Sequence, residues 1–155
     1  MPKKKQKWVK GDVVKIPITD QVCGFGRILE SPLIAFYDLQ ANCDAISSLT
    51  EIAATPIAFK VWVMKYAITD GDWPVIGNLT LTSELLRKPL FFKRDSLTKQ
   101  LFITMDGGEE VPARLEDCQN LERAAVWEPE HIVDRLRDHF AGRSNKWVEM
   151  LRPKP

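Results

Sequence analysis

The longest strongly apolar stretch of the chain covers residues 56–78. Its first part has the two-residue period of an extended strand, which places four apolar side chains on one face: Ile57, Phe59, Val61 and Val63. The opposite face carries Trp62 and Met64 and is nearly as apolar. A strand that is apolar on both faces is typical of the middle of a covered sheet, so we predict that this strand is central. A turn at 70–72 and a second extended piece at 73–76 follow it.

Three short extended segments precede this stretch, and their spacing predicts an antiparallel meander that curls on itself: residues 13–18, 23–29 and 33–38. Gly24 and Gly26 lie inside the second segment. A phosphate-binding loop would need a third glycine and a following helix, and the sequence shows neither. Glycines within a strand more often mark a bulge or a place where another backbone approaches closely, and we adopt that interpretation.

Helical spacing predicts one clear helix and several short ones. The clear helix covers residues 129–141, because Pro129 suits the first helical position, Gly142 stands just past the end, and Ile132 and Leu136 share an apolar stripe. A second helix is predicted at 44–53, with Asp44 as its cap. The remaining predicted elements are helical turns at 82–86 and 115–121, a hairpin of 91–94 with 101–105, a strand at 124–127, and a segment at 147–151 that is ambiguous between helix and strand.

These elements predict an α+β fold, with a curved, mainly antiparallel β-sheet packed by the carboxyl-terminal amphipathic helix and by short helical turns. The sequence leaves open whether the curved sheet closes into a partial barrel. At 155 residues the chain is large enough to bury a core without a metal or a disulfide. We predict a disordered lysine-rich tail at residues 1–7 and a single domain at residues 8–155.

The charge balance argues against two classes of partner. The chain has 22 basic and 21 acidic side chains, so no broad attraction to nucleic acid or to a membrane surface is expected. No apolar run is long enough to span a bilayer, since lysines interrupt even the stretch at 56–78. The lysines near the amino terminus are not followed by the apolar segment of a signal peptide. We therefore expect no nucleic-acid partner and no membrane partner.

The three cysteines, Cys23, Cys43 and Cys118, are too far apart in sequence for a CxxC redox or zinc motif, and any disulfide would leave one of them over. A reducing compartment fits this usage best, so we expect a cytoplasmic protein. Cys118 lies in a predicted helical segment, and we interpret it as a buried, unreactive thiol.

The sequence offers little for catalysis. His131 and His139 are the only histidines, and eight residues along a helix separate them by about 12 Å. That distance is too long for both to bind one zinc ion, and the chain has neither a GxSxG nucleophile motif nor a Walker-type phosphate loop. We therefore predict no catalytic residue, no metal site and no cofactor.

Acidic residues in predicted turns are the best candidates for contact with a partner. Asp70 and Asp72 lie beside Trp73, and an exposed aromatic next to two carboxylates is a suitable contact for a basic partner. Solvated loop charges would explain these carboxylates without any function, because turns are rich in acidic residues for backbone reasons. The predicted partner-binding residues are Asp70, Asp72, Trp73, Glu109 and Glu110.

Five segments of the chain stand in a characteristic order and spacing. They are Gly-Asp-Val-Val-Lys-Ile-Pro at 11–17, Gly-Phe-Gly-Arg at 24–27, Ile-Ala-Phe-Tyr-Asp at 34–38, Phe-Lys-Val-Trp-Val at 59–63 and Trp-Pro-Val-Ile-Gly at 73–77. Together they resemble the immunity protein 26 family of bacterial polymorphic toxin systems. The likeness continues through 123–127 and 134–140. Cys23 departs from the pattern, because an aromatic residue is expected before the Gly-x-Gly, and this departure concerns strand packing more than function.

The resemblance implies a cytosolic protein that binds and neutralises a cognate toxin domain by direct contact, without a cofactor and without a catalytic motif. The same grouping is linked with a phosphotriester hydrolase, which is the alternative enzyme function. Two histidines are few for the metal sites that commonly perform that reaction. A general interaction module without a toxin partner is a third possibility. The sequence does not predict the class of the toxin or the oligomeric state.

Overall fold

The computed structural model describes residues 3–45 and 48–155. In this part of the chain the strands are β1 (Asp12–Pro17), β2 (Val22–Ile28), β3 (Leu33–Asn42), β4 (Ile57–Val63), β5 (Val75–Asn78), β6 (Phe91–Arg94), β7 (Leu101–Thr104), β8 (Glu110–Ala113), β9 (Glu122–Arg123) and β10 (Val126–Trp127). The helices are α1 (Leu49–Ala53), α2 (Tyr66–Thr69), α3 (Ser83–Leu86), α4 (Leu115–Cys118), α5 (Pro129–Phe140) and α6 (Lys146–Leu151).

The first sheet has the strand order β10-β4-β3-β2-β1-β5. Its neighbours run antiparallel except β10 and β4, which are parallel, and the predicted meander of β1, β2 and β3 is confirmed. The prediction that residues 57–63 form the central strand is wrong, because β4 lies one strand from the edge, beside the two-residue β10. The second face of β4 carries a large apolar side chain because Trp62 packs on Phe91 of a second sheet. Met64, just after the strand, is exposed.

The second sheet has the order β8-β7-β6-β9 and contains the predicted hairpin of β6 and β7. The α+β class with mainly antiparallel strands is confirmed, but the strands form two sheets where one was predicted. Strands β8 and β9 were not predicted. Within the described residues neither sheet closes into a barrel.

The main core lies between the first sheet and α5, as the amphipathic pattern of 129–141 predicts. Ile132 and Leu136 are fully buried against side chains of the sheet, and each buried side chain of this size contributes about 1.5–3 kcal/mol. The sheet bulges between Gly24 and Gly26. The predicted bulge is therefore confirmed. A Cβ added to Gly26 would meet a side chain first, 3.2 Å from Val14 Cγ2, and would lie 3.4 Å from the Ala35 carbonyl oxygen of the neighbouring strand.

The short helices differ from their predictions in several places. Helix α1 begins at Leu49 after Ser48, which occupies the N-cap position, so Asp44 does not cap it; Ile46 of the predicted helix lies outside the described residues. Helix α2 was not predicted, and the ambiguous segment at 147–151 belongs to α6. No helix of the described residues has the length and apolar composition needed to cross a membrane.

Arg27 of β2 is buried inside the protein with a side-chain exposure of 1%. It donates hydrogen bonds to the Gly11 carbonyl at 2.8 Å, to Tyr37 Oη at 2.9 Å and to the Leu79 carbonyl at 2.6 Å. A buried guanidinium group must have most of its donors bonded because its desolvation is costly. Arg27 therefore ties the start of β1 and the segment after β5 to the middle of the sheet.

Cys23 and Cys43 form a disulfide, with Cα atoms 5.1 Å apart. The register of β2 and β3 places Cys23 opposite Ala41, so Cys43 lies within reach just after the strand. Disulfides persist in oxidising compartments. The argument that the cysteine spacing indicates a reducing compartment is therefore corrected. Cys118 is free and buried as predicted, and burial is the main cause that raises the pKa of its thiol.

Candidate functional site

The predicted acidic turn is paired with lysines of the same chain. Lys5 Nζ lies 2.8 Å from Asp70 Oδ1, and Lys3 Nζ lies 2.6 Å from Asp72 Oδ1. The hydrogen bond to Asp72 is the main cause that raises the pKa of Lys3. Both ion pairs are on the surface, where solvent screening makes such pairs weak. The carboxylates are therefore neutralised locally by contacts that a stronger basic partner can replace.

Gln6 holds this amino-terminal segment against the turn. Its backbone N–H donates to the Thr69 carbonyl at 3.1 Å, and its side chain donates to the Trp73 carbonyl and accepts from the Val75 N–H. Lys3, Lys5 and Gln6 belong to the segment that is predicted from the sequence to be a disordered tail, and in the structure they make these contacts.

Trp73 does not form part of an exposed surface. It is 2% exposed, and its ring meets that of Phe36 edge-on with centroids 5.8 Å apart. The prediction of an exposed aromatic beside the two carboxylates is therefore wrong for Trp73. The physical reason is the long-range packing of the turn onto the sheet, because the Trp73 backbone also bonds to Gln6 from the start of the chain.

The second predicted acidic pair lies on the hairpin between β7 and β8, away from the first. Glu110 pairs with Lys93 across the sheet. Glu109 is exposed and has no ion-pair partner within the described residues, and the same holds for Asp106 in the same loop. Among the described residues, no hydrogen bond or ion pair connects a residue of this hairpin with Asp70 or Asp72. The predicted residues therefore form two separate acidic patches, one at the turn and one at the hairpin.

An apolar groove with a volume of about 510 Å³ lies where the two sheets meet. Trp62 of β4 and Phe91 of β6 form its floor, with ring centroids 4.6 Å apart. Leu86 and Met105 stand on its rim with exposures of 60% and 39%. The groove is also bordered by the loop at 105–108, so the acidic hairpin and the groove form one continuous surface.

Helix α3 forms one wall of the groove, and two contacts fix its position. Thr82 caps the helix by accepting a hydrogen bond from the Leu85 N–H at 3.3 Å. Lys60 Nζ of β4 donates to the Glu84 and Arg87 carbonyls at 3.1 and 3.2 Å. Burial is the main cause that lowers the pKa of this lysine. These contacts hold the helix beside β4 with the side chain of Leu86 outside the core.

The groove was not predicted from the sequence. Its residues come from distant parts of the chain, including the turn at 30–33, β4, α3 and the loop at 105–108. One signal was available: several leucines follow each other between residues 81 and 90 without a period that would bury them all on one face. Leucines of this kind point to an exposed apolar surface.

The two histidines lie in different surroundings and do not meet. His139 Nε2 lies 2.7 Å from Asp38 Oδ1 at the surface, while His131 stacks on Trp147 with ring centroids 3.6 Å apart. No group of three histidine, cysteine or acidic side chains among residues 3–45 and 48–155 is arranged to hold a metal ion. These contacts explain both histidines as parts of the folded surface.

Comparison with known protein families gives a match. The model of the family described as Immunity protein 26 matches residues 9–102, which is more than half of the chain and includes β1 to β6 and the first half of β7. The chain belongs to the immunity protein 26 family. No curated protein and no solved structure matches it. In this family member the matched region contains the floor of the groove and Leu86, whereas the acidic loop and the helix that covers the core lie beyond it.

Proposed function

We propose that this immunity protein binds a cognate toxin domain of a bacterial polymorphic toxin system and neutralises it by direct contact. Membership of the immunity protein 26 family supports a protein toxin as the partner. Binding of this kind needs a complementary surface and no catalytic group, which agrees with a chain whose histidines and free cysteine are all engaged in packing or surface pairs.

The observation that carries the proposal is the open apolar groove between the sheets. Leu86 and Met105 are exposed at its rim, while Trp62 and Phe91 close its floor. Binding energy at protein interfaces is concentrated where large side chains enter well-formed apolar pockets. A groove of about 510 Å³ is large enough for one or two apolar side chains of the toxin.

Charge beside the groove favours one kind of toxin surface. Asp106 lines the groove and Glu109 follows it in the same loop; both are exposed, and neither has an ion-pair partner among the described residues. Lys10 and Lys88 also line the groove, and Lys88 pairs with Glu30. A toxin segment with apolar side chains flanked by lysine or arginine would satisfy both the groove and these carboxylates. Such charge complementarity increases the association rate and selects among partners.

The acidic turn is proposed as a second, outlying contact. Asp70 and Asp72 would exchange Lys5 and Lys3 for basic residues of the toxin. The exchange costs little, because the lysine pairs are exposed to solvent. A cytoplasmic location stays a prediction, and the disulfide between Cys23 and Cys43 argues against the cysteine-based reason for it.

The proposal is tested by inhibition. Each toxin domain encoded near the gene is assayed for its own activity with increasing amounts of the purified protein, and the protein alone is assayed against a phosphotriester with added zinc, cobalt and manganese. The proposal expects complete inhibition of one toxin domain at a one-to-one ratio and background phosphotriester turnover. Full toxin activity at every ratio, or phosphotriester turnover well above background, would contradict it.

A further inference from the structure

A second, smaller cleft of about 230 Å³ lies between β9 and α6. Strand β9 forms the edge of the second sheet that is farthest from β8. Three arginines line it, Arg123, Arg135 and Arg152, together with the buried Trp127. All four residues lie outside the region that the family model matches. The cleft is therefore a feature that family membership does not account for.

Two of these arginines are already neutralised. Arg135 makes a bidentate pair with Glu122, with both N–O distances at 2.9 Å, and its guanidinium group lies 3.6 Å from the centre of the Phe59 ring. Arg152 pairs with Glu149 at 2.9 Å. Bidentate pairing fixes both the position and the charge of Arg135, so the remaining positive charge in the cleft is that of Arg123.

Arg123 has no carboxylate partner among the described residues. Its Nε donates to the Leu151 carbonyl at 3.0 Å, and its guanidinium group stacks 4.9 Å from the centre of the Phe92 ring. Arg94 lies close by and has no carboxylate partner there either; burial, followed by the charge of Arg94, lowers the pKa of Arg123. Two neighbouring guanidinium groups that share no anion repel each other, and an anion between or beside them would remove that cost.

Trp127 provides the second, independent observation. Its ring is 4% exposed, and its indole Nε1–H is buried without a hydrogen-bond partner among the described residues. Leaving a buried donor unpaired destabilises the folded state, and such donors are rare in folded proteins. Among the described residues, the Nε of Arg94 is a second buried donor in this state.

We infer that this cleft binds a small oxyanion, a phosphate or carboxylate group, which accepts hydrogen bonds from Trp127 Nε1 and from the guanidinium group of Arg123. Arg152 also lines the cleft, but its charge is paired with Glu149. The hydrogen bond from Arg123 to the Leu151 carbonyl holds the end of α6 in place. It provides no acceptor for Trp127 Nε1 and does not neutralise the charge of Arg123.

The direct test is a proton–nitrogen correlation spectrum of the full chain. The five tryptophans give five indole signals, and the Trp127→Phe variant assigns the one at the cleft. Sodium phosphate and sodium acetate are titrated separately at constant ionic strength, with sodium chloride as the control. The expected result is a saturable shift of the Trp127 indole signal with phosphate or acetate, at low millimolar half-saturation, and no such shift with chloride.

Variants separate a site from a general salt effect. Arg123→Gln is expected to weaken the interaction about 10-fold or more, since charge-assisted hydrogen bonds are the strong ones. Arg87→Gln, an exposed arginine on another part of the surface, is expected to leave it unchanged. An indole signal that does not move in the wild-type protein, or that moves equally with chloride, overturns the inference even if Arg123→Gln fails to fold.

Discussion

Trp62 of β4 and Phe91 of β6 pack with their ring centroids 4.6 Å apart, and this pair joins the two sheets at the floor of the apolar groove. The contact explains why β4 carries large apolar residues on both faces although it is not central. One face supports the main core, and the other binds the second sheet. The groove is therefore a direct consequence of how the two sheets meet.

The acidic hairpin beside the groove is expected to contribute to partner binding through charge. The double variant Asp106→Lys and Glu109→Lys should lower the affinity for the toxin domain by about 10-fold, mainly through a slower association rate. Surface plasmon resonance at two salt concentrations measures this effect. The loss should shrink at high ionic strength, where exposed charges are screened.

The acidic turn provides the matched comparison for the hairpin. Charge reversal of Asp70 and Asp72 should weaken binding by less, about 2- to 5-fold, because exposed ion pairs are screened by solvent and are weak. The melting temperature should change little in either double variant. If charge reversal at the turn leaves the affinity unchanged, the turn is not part of the interface. If charge reversal at the hairpin leaves the affinity unchanged, the acidic edge of the groove is not part of the interface.

The disulfide between Cys23 and Cys43 is expected to stabilise the fold. It closes a loop with a sequence separation of 20 residues, for which loop-closure entropy predicts about 3 kcal/mol. Dithiothreitol should therefore lower the free energy of unfolding by about this amount in urea titrations. The double variant Cys23→Ala and Cys43→Ala should be destabilised similarly and should not respond to the reductant; a wild-type protein with three free thiols would contradict this prediction.

Arg27 is expected to be essential for the stability of the first sheet. Replacing it with methionine leaves the Leu79 carbonyl without its donor and the buried Tyr37 hydroxyl without its partner, while the Gly11 carbonyl keeps the Leu79 N–H. Each unpaired buried group costs about 1–3 kcal/mol. We expect a loss of about 3 kcal/mol in the free energy of unfolding. Tyr37→Phe, which removes only the acceptor for Nη1 of Arg27, should cost about 1 kcal/mol. Equal stability of Arg27→Met and the wild type would show that the buried network is dispensable.

Tyr66 gives a pH dependence with a defined sign. Its hydroxyl group donates to Glu128 Oε2 at 2.6 Å, and this hydrogen bond, followed by desolvation, raises the pKa of Tyr66 from 10.0 to about 12. Because the folded state holds the proton more tightly, its contribution to stability is complete below pH 10 and disappears as the pH rises through 12. Ultraviolet titration at high pH should show Tyr66 ionising earlier in Glu128→Gln. Identical titration curves for the two proteins would contradict the hydrogen bond.

The sequence predicts the parts of this fold that depend on local patterns. The meander of β1 to β3, the hairpin of β6 and β7, and the helix at 129–140 follow from alternation, turn residues and capping, all of which act within a few residues. The burial of Trp73 does not follow from them, because it depends on packing against Phe36 and on backbone contacts with Gln6. A local reading of the acidic turn therefore placed this tryptophan on the surface.

Register and long-range contact account for the other differences. The disulfide depends on the register of β2 and β3, which places residue 23 opposite residue 41; cysteine spacing alone does not contain that information. The groove combines residues from four separate parts of the chain. Only the acidic pair at 109–110 was predicted near it, and that prediction rested on residue type in a turn.

The central claim is that the groove binds a toxin domain, and titration calorimetry with matched leucine variants tests it most directly. Leu86→Glu places a charge on the rim of the groove, while Leu97→Glu places one at the far end of the β6–β7 hairpin, where Leu97 is 90% exposed. Both substitutions are at exposed positions, where stability should change by less than about 0.5 kcal/mol. The account predicts a tight one-to-one complex for the wild type and for Leu97→Glu, and a loss of at least about 10-fold in affinity for Leu86→Glu. Equal affinity of the two variants, or no complex with any toxin domain encoded near the gene, would contradict it.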